Sequence, residues 1–328
     1  MQKQFVKDLR ESERVSSNFQ LDQSQLYEFR NKTGRYAIVQ LSDRTGSIRG
    51  ICWDIGEQVH KTVPVGSIVY VEGKVESYND QLQINVHNVT ISSKKDYSPS
   101  DFLPVSGVDT EKLFQYLLKE IEQITDKHLQ KLLRLFFTDA AFVEKFKRAP
   151  AAKSIHHSHL GGLVEHTVNC LKLGRTMCEN YPQLNQNILL AGIMLHDSGK
   201  IEEFEYENKI SYTDRGRLLG HIVIGEQMIY EKIKSIKNFP EKLANEFLHL
   251  IISHHGESPM GSPKRPKTPE ACALHFLENL DAQTNRFLQI IQSQPLGCTG
   301  TWTPYDRLLD RYLFRGYTYD EETPDEED

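Results

Sequence analysis

The sequence predicts a multidomain α and β protein, with a five-stranded β-barrel at the N terminus and an all-α domain behind it. Three observations carry this expectation. Residues 15–91 read as short strands of alternating polarity broken by turn signals. Residues 94–107 are rich in Ser, Asp and Pro (Ser98-Pro99-Ser100, then Pro104) and read as a linker. From residue 110 to about 315 apolar residues recur at helical spacing, with hardly a convincing strand. The expected division is a barrel over 1–93, a linker over 94–110, a helical domain over 111–316 and an acidic tail over 317–328.

The strands follow in order. A first one is placed near residues 15–21. In the next, over 34–42, Tyr36 and Ile38 alternate with Ala37, Val39 and Leu41, and Asp43-Arg44-Thr45-Gly46 then reads as a hairpin turn. A strand over 46–53, a helical or irregular piece over 55–63 and the break Pro64-Val65-Gly66 lead to a long strand over 67–78. After a turn at Asn79-Asp80, Leu82, Ile84 and Val86 alternate with Gln81, Gln83 and Asn85, the period of a half-buried strand. Five strands with a small insert between the third and fourth is the layout of a Greek-key barrel, and an SH3-type barrel would produce a similar pattern. In the second half, Leu113, Phe114, Leu117, Leu118 and Ile121, then Leu132, Leu133, Leu135 and Phe136, and later Leu171, Met177 and Leu189 mark helices, with one short hairpin around residues 204–212.

Composition narrows the function classes. The chain has 328 residues, 38% of them hydrophobic, enough for a sizeable core. Its first ten residues are charged, and no run of about 18 apolar residues occurs, which argues against a secretion signal and a membrane span. Five widely spread cysteines without a C-x-x-C pair read as reduced thiols in a cytoplasmic protein. The net charge is -6, yet seven acids fall in the last nine residues, so the body is close to neutral and the sign says little about partners. That tail is expected to be disordered. The sequence is compatible with a monomer or a homo-oligomer.

The chemistry-bearing residues cluster in the helical half. They are His156-His157, then Glu165-His166, Leu195-His196-Asp197-Ser198-Gly199-Lys200, Gly220-His221, Ser253-His254-His255-Gly256 and Glu278-Asn279-Leu280-Asp281. Neutral imidazoles and carboxylates are what divalent Mn, Fe, Co or Zn bind. The neighbours His196 and Asp197 converge on one site if it lies where several helices meet, and a carboxylate has two oxygens with which to bridge two ions. Two ions about 3.5–4 Å apart can hold a hydroxide and stabilise both the attacking and the leaving oxygen of a phosphodiester.

His166, His196-Asp197 and Asp281 resemble the H...HD...D signature of the HD phosphohydrolase superfamily, and the added His221 and His254-His255 resemble its two-metal members. The resemblance implies one ion on His166, His196, Asp197 and Asp281 and a second on Asp197, His221, His254 and His255, with Asp197 as the bridge. The barrel segment from Tyr36 to Trp53, followed by VGSIVYVEGKVESYNDQLQINV, resembles the anticodon-binding type of OB fold. An OB-fold barrel followed by an HD-type helical domain carrying HHSHLGGLVEHT and LHDSGK is similar to the YhaM-type 3′-to-5′ exoribonucleases. That likeness implies a metal-dependent exonuclease acting on single-stranded RNA, with single-stranded DNA as a second substrate, and releasing nucleoside 5′-monophosphates. Manganese is the first expectation for the two ions and cobalt or iron the next. A cyclic-nucleotide or nucleotide phosphodiesterase would use the same ions, and a non-catalytic nucleic-acid-binding protein would not need every ligand position filled.

Other residues have two readings. Lys200, three after Asp197, is a catalytic candidate that would offset charge on a phosphate oxygen, or an ordinary exposed lysine. His156, His157 and His159 either face the site or cap the helix carrying His166, and Glu165 is expected to orient a neighbouring ligand. Gly161-Gly162 and Gly199 allow either a close approach of backbone to ligand or tight packing. Between two ligand segments, Ser262-Pro263-Lys264-Arg265-Pro266-Lys267 is a mobile loop that meets nucleic-acid backbone through Lys264 and Arg265, or a solvated connection. Tyr36, Trp53, Tyr70 and Tyr78 either stack bases or fill the barrel core. Positive charge nearby comes from Lys32, Arg35, Arg44, Arg49 and Lys74.

Overall fold

The computed structural model describes residues 3–29, 31–79, 81–103, 105–153, 157–256, 261–292, 300–307 and 309–317. Arg30, Asp80, Pro104, His156, Cys298 and the acidic tail from 318 on lie outside the described residues.

Strands β1 (Arg14–Glu28), β2 (Arg35–Asp43), β3 (Gly46–Cys52), β4 (Ile68–Tyr78) and β5 (Gln81–Ile91) close a barrel in the order β1-β2-β3-β5-β4. The β3–β5 pair is parallel, and helix α1 (Gly56–Thr62) sits in the connection from β3 to β4. This is the OB arrangement. Alternation in β2 sends Ala37, Val39 and Leu41 inward, where they meet Phe19, Leu21, Val71 and Ile84. The aromatics at issue are not in that core, since Tyr36 and Tyr70 are half-buried and Trp53 and Tyr78 exposed. The turn at Asp43 forms because its carboxylate accepts from the Thr45 amide (2.8 Å), the Val6 amide (2.8 Å) and Lys3 Nζ (2.9 Å).

Strand β1 is twice the length expected from its alternation. A bulge between Leu21 and Gln23 bends it, so the first half pairs with β4 and the second with β2. The second half, from Asp22 to Glu28, has no buried face, which is why its pattern was not legible as strand.

The helical unit comprises α2 (Thr110–Glu122), α3 (Lys127–Phe137), α4 (Ala140–Arg148), α5 (Gly162–Asn180), α6 (Gln186–Leu195), α7 (Lys200–Glu203), α8 (Asp214–Ser235), α9 (Glu241–Ser253) and α10 (Pro269–Gln292). A hairpin of β6 (Phe204–Tyr206) and β7 (Ile210–Tyr212) separates α7 from α8. Asp109, Asp126 and Asp139 start α2, α3 and α4 as N-caps, each carboxylate accepting two backbone amides of the first turn. Helix α6 is buried over every residue from Ile188 to Leu195, so its apolar surface runs all round it and the other helices pack about it. Helices were expected to about residue 315. Instead α10 ends at Gln292, and residues 300–317 hold only isolated bridges among the described residues. Gly300, Pro304 and Gly316 suit the described part of this stretch, because none of them favours a helix interior.

The stretch between the two units is fastened to both. The Arg44 amide donates to Asp101 O (2.9 Å) on the barrel side, and Ser106 Oγ donates to Glu165 (2.6 Å) on the helical side. The tip of the β6–β7 hairpin reaches the barrel as well: Asn208 Nδ2 donates to Gly66 O (3.3 Å), and Tyr97 donates to Asn208 Oδ1 (3.0 Å). Among the described residues no helix is long and apolar enough to cross a membrane.

Phe19 is fully buried at the centre of the barrel. Truncation in Phe19→Ala is expected to cost about 3–5 kcal/mol of stability, read as a lower urea midpoint. A loss below about 1 kcal/mol would contradict this packing.

Candidate metal centre and nucleic-acid surface

Helix α6 delivers the HD pair to the interior. It stops at Leu195, His196 caps it with helical backbone angles, and Asp197, Ser198 and Gly199 turn the chain into α7. That turn presses on α8. A Cβ on Gly199 would stand 2.1 Å from the carbonyl oxygen of His221, so only glycine fits. The close approach allowed by this glycine is therefore to backbone of α8. Helix α8 is itself kinked at Gly220, whose φ of 72° is a left-handed value, and the kink aims the next residue, His221, at Asp197.

The four histidines around Asp197 are oriented in the same way. His196 Nδ1 faces the carbonyl of Ile193 (2.8 Å), and His254, at the C-terminal end of α9, does the same with Ile251 (2.7 Å). His166 Nδ1 faces Asp281 Oδ2 (2.7 Å), and His221 Nδ1 faces Glu203 Oε1 (3.1 Å). A carbonyl or carboxylate only accepts, so each Nδ1 carries the proton and each Nε2 presents a lone pair. All four Nε2 atoms point at Asp197. Those of His196 and His166 lie 3.4 and 3.7 Å from Oδ2, and those of His221 and His254 lie 3.5 and 3.7 Å from Oδ1.

This donor set fits divalent cations. The Nε2 atoms of His166 and His196 face each other at 3.3 Å, two lone pairs that repel unless a cation lies between them. Two nitrogens sharing one ion at about 2.0–2.1 Å each would be separated by a similar distance. On the other side, Asp197 Oδ1, His221 Nε2 and His254 Nε2 are buried without a hydrogen bond, a costly arrangement for polar atoms. His255 joins that side, its ring centred 5.0 Å from His221 and 4.5 Å from His254. Donor atoms of His221, His254 and His255 form one group close enough for an ion, and those of His166, His196 and Asp197 form another.

Asp281 does not fall into the group with His196 and Asp197. It lies behind His166, receiving that ring's Nδ1–H and also facing His157 Nε2 at 3.0 Å. His157 is fully buried, and Glu165 stands 3.5 Å from its Nδ1. Burial would lower the His157 pKa, but the Asp281 and Glu165 carboxylates overcome it and raise it to about 9. Glu165 also accepts from Ser106 and faces His159 Nε2 at 2.9 Å, so it holds His157 and His159 in place.

Lys200 is buried with its Nζ 2.6 Å from Asp197 Oδ2. Burial alone would raise the Asp197 pKa; the positive charge of Lys200 beside it works the other way, and the carboxyl is held well below its usual range. Two carboxylates had no role assigned from the sequence, Glu203 unnamed and Glu278 named only as part of the run to Asp281. Glu203 accepts both the backbone amide of His221 (3.0 Å) and its Nδ1–H, fixing the ring at two points. Glu278, one turn before Asp281, is buried, and desolvation together with the Asp197 charge pushes its pKa up to about 7. Its three-residue spacing from Asp281 was the signal available.

Lys264 and Arg265 are exposed between α9 and α10, on a stretch anchored by Ser262 Oγ donating to Ile252 O (3.0 Å); residues 257–260 lie outside the described residues. On the barrel, Tyr36 is the centre of an aromatic cluster, with ring centres 5.7 Å from Tyr27, 5.2 Å from Phe29 and 4.8 Å from Trp53. Lys32 lies 4.1 Å over the Phe29 ring, and Arg49 is exposed on β3. Tyr78 is exposed at the end of β4. Tyr27 and Phe29 were not singled out because they sit in and just beyond the half of β1 whose pattern is hidden.

Comparison with known proteins adds the following. Residues 163–283 match the HD domain family, and residues 22–92 match the OB-fold nucleic acid binding domain family. The 3′-5′ exoribonuclease YhaM of Geobacillus sp. (strain WCH70) is 32% identical over 246 residues, 75% of each chain. The enzyme of that name from Shouchella clausii (strain KSM-K16) is 34% identical over 75% of this chain and 76% of its own. That from Bacillus subtilis (strain 168) is 32% identical over 76% of this chain and 79% of its own.

The Gly199 approach yields a sharp expectation. Gly199→Ala should cost about 1–3 kcal/mol through forced separation of the turn from α8. Thermal unfolding reads the loss, and an unchanged midpoint would mean that the approach is not needed.

Proposed function

The chain belongs to the family of YhaM 3′-5′ exoribonucleases, and we propose that it trims single-stranded RNA from the 3′ end to nucleoside 5′-monophosphates with two divalent ions astride Asp197. The observation that carries this reading is the division of four imidazole Nε2 atoms between the two oxygens of that one carboxylate, two on each. His166, His196 and Asp197 would hold the first ion, with Asp281 behind His166 fixing that ring through its Nδ1–H. Asp197, His221, His254 and His255 would hold the second. Manganese suits this mixed nitrogen and oxygen set, with cobalt or iron next.

Bound divalent ions supply Lewis acidity, which lowers the pKa of a water and offsets charge on a phosphodiester. The protein does the rest. Carbonyls and carboxylates behind each imidazole keep the Nε2 lone pairs aimed inward. Lys200 keeps Asp197 ionised and brings a positive charge to where a phosphate oxygen gains negative charge. The barrel grips the strand through Tyr36, Trp53, Tyr78 and Arg49, joined by Tyr27 and Phe29, with little sequence preference because every base has a face to stack. Lys264 and Arg265 meet backbone phosphates, and single-stranded DNA is a second substrate for the same reasons.

Pure protein with added manganese is expected to release labelled mononucleotide at once from 3′-labelled single-stranded RNA. A 5′ label should give a ladder that shortens with time, and Asp197→Asn should be silent on both. Absence of cleavage by the wild type with both ions bound would sink the reading in favour of a small-nucleotide phosphodiesterase.

The barrel is tested separately. Trp53→Ala should weaken RNA binding by roughly 5- to 150-fold, the equivalent of one stacked base at about 1–3 kcal/mol. Equal affinity in a filter-binding assay would remove Trp53 from the grip.

A further inference from the structure

Among the described residues, exposed aromatic rings lie against one another in two groups. One is the barrel cluster. The other is residues 300–317, beyond both the OB-fold match at 22–92 and the HD match at 163–283. Here Trp302, Tyr305, Tyr312, Phe314 and Tyr317 are 57, 45, 59, 41 and 68% exposed. Rings of this size contribute strongly when covered, and a patch of them marks a binding surface.

The segment is an ordered platform. The Thr303 amide donates to Leu313 O (2.9 Å), the Asp306 amide to Arg311 O (2.9 Å) and the Arg315 amide to Thr301 O (2.7 Å), which sets two antiparallel limbs side by side. Thr303, Leu309 and Leu313 face inward. Outside, the rings stand in pairs, with centres 5.2 Å apart for Trp302 and Phe314, 5.2 Å for Tyr305 and Tyr312 and 5.1 Å for Phe314 and Tyr317. The platform is fixed to α10: Arg286, itself buried, donates to Asp306 Oδ1 at 2.9 Å, and the Leu309 amide donates to the same oxygen at 2.7 Å. On that helix Arg286 lies about 7.5 Å along the axis from Asp281. Its neighbour Asn285 accepts the His157 amide at 3.0 Å. The C-terminal half of α10 thus carries both the Asp281 corner of the metal centre and the anchor of this aromatic face.

The charges on the face decide what covers it. Arg307 and Arg311 are exposed among the rings together with one carboxylate, Asp310, which accepts from the Tyr305 hydroxyl, whereas Asp306 is paired with Arg286. An apolar protein partner would have to desolvate two guanidinium groups. Single-stranded nucleic acid matches both features, since bases stack on the rings and phosphates meet the guanidinium groups. We propose that residues 300–307 and 309–317 form a second grip for single-stranded RNA beside the metal centre, with Trp302 and Phe314 stacking on bases and Arg307 and Arg311 on phosphates. This rests on the exoribonuclease reading above.

The chain has two tryptophans, Trp53 and Trp302, so each grip carries its own fluorophore. In Asp197→Asn, which keeps the RNA intact, W53F leaves Trp302 as the reporter and W302F leaves Trp53. Adding a single-stranded oligoribonucleotide should quench both signals saturably. Arg307→Glu with Arg311→Glu should weaken binding by about tenfold and lower the slope of log affinity against log salt by roughly 1.4. Unchanged Trp302 emission at RNA concentrations that saturate the Trp53 signal would overturn the second grip and leave the exoribonuclease reading intact. Silence from both tryptophans would overturn both grips, and the cleavage assay would then decide the exoribonuclease reading by itself. Self-association that is lost in W302A, with RNA affinity unaltered, would assign the face to a second copy of the chain and so refute the proposal.

Discussion

Asp197 is almost wholly buried, ionised, and surrounded by four imidazole nitrogens whose lone pairs face it. A carboxylate in such a place is stable only opposite positive charge. Lys200 supplies one such charge from within the chain, at 2.6 Å. Much of the helical unit can be understood as the structure needed to hold this carboxylate and its partners in register. Helix α6 is apolar on all sides because it must carry the pair His196-Asp197 to the interior; α5, α8 and α9 each bring a histidine to it, and α10 brings Asp281 to the back of His166.

Orientation is achieved cheaply. Two of the four rings, His196 and His254, stand where their helices end, and each donates Nδ1–H to a carbonyl three residues back in its own helix. Such carbonyls lack a partner at a helix C terminus, so one bond satisfies the helix and fixes the ring. His166 and His221 lie within helices, where no carbonyl is spare, and each takes a carboxylate instead, Asp281 and Glu203.

Most of the fold was legible in the sequence because burial imposes a period. Ala37, Val39 and Leu41 alternate since one face of β2 is wet, and α2 and α3 show the helical period for the same reason. Where neither face is buried the signal fails, as in the second half of β1 with its Gln, Ser and Asp residues. Tyr27 and Phe29 were lost with it. Within the site, histidines and aspartates stand out by type, so that these side chains would meet was readable. Which nitrogen of each ring faces inward was not, because that depends on acceptors such as Ile193 O and Ile251 O that any residue could supply. Glu203 was hidden among the neighbouring acids Glu202 and Glu205, and only its distance to His221 separates it from them.

Glu203 is also the near end of a strut. Its carbonyl accepts the Thr213 amide at 2.9 Å, which closes the base of the β6–β7 hairpin, and the hairpin's far tip at Asn208 rests on the barrel at Gly66. The two units therefore share a brace as well as a covalent connection. His221 is positioned by a member whose other support is the loop leading into β4, so the barrel unit is part of the scaffolding of the metal centre. A helical unit cut free of its barrel would retain every candidate ligand and lose one of the supports that aims them.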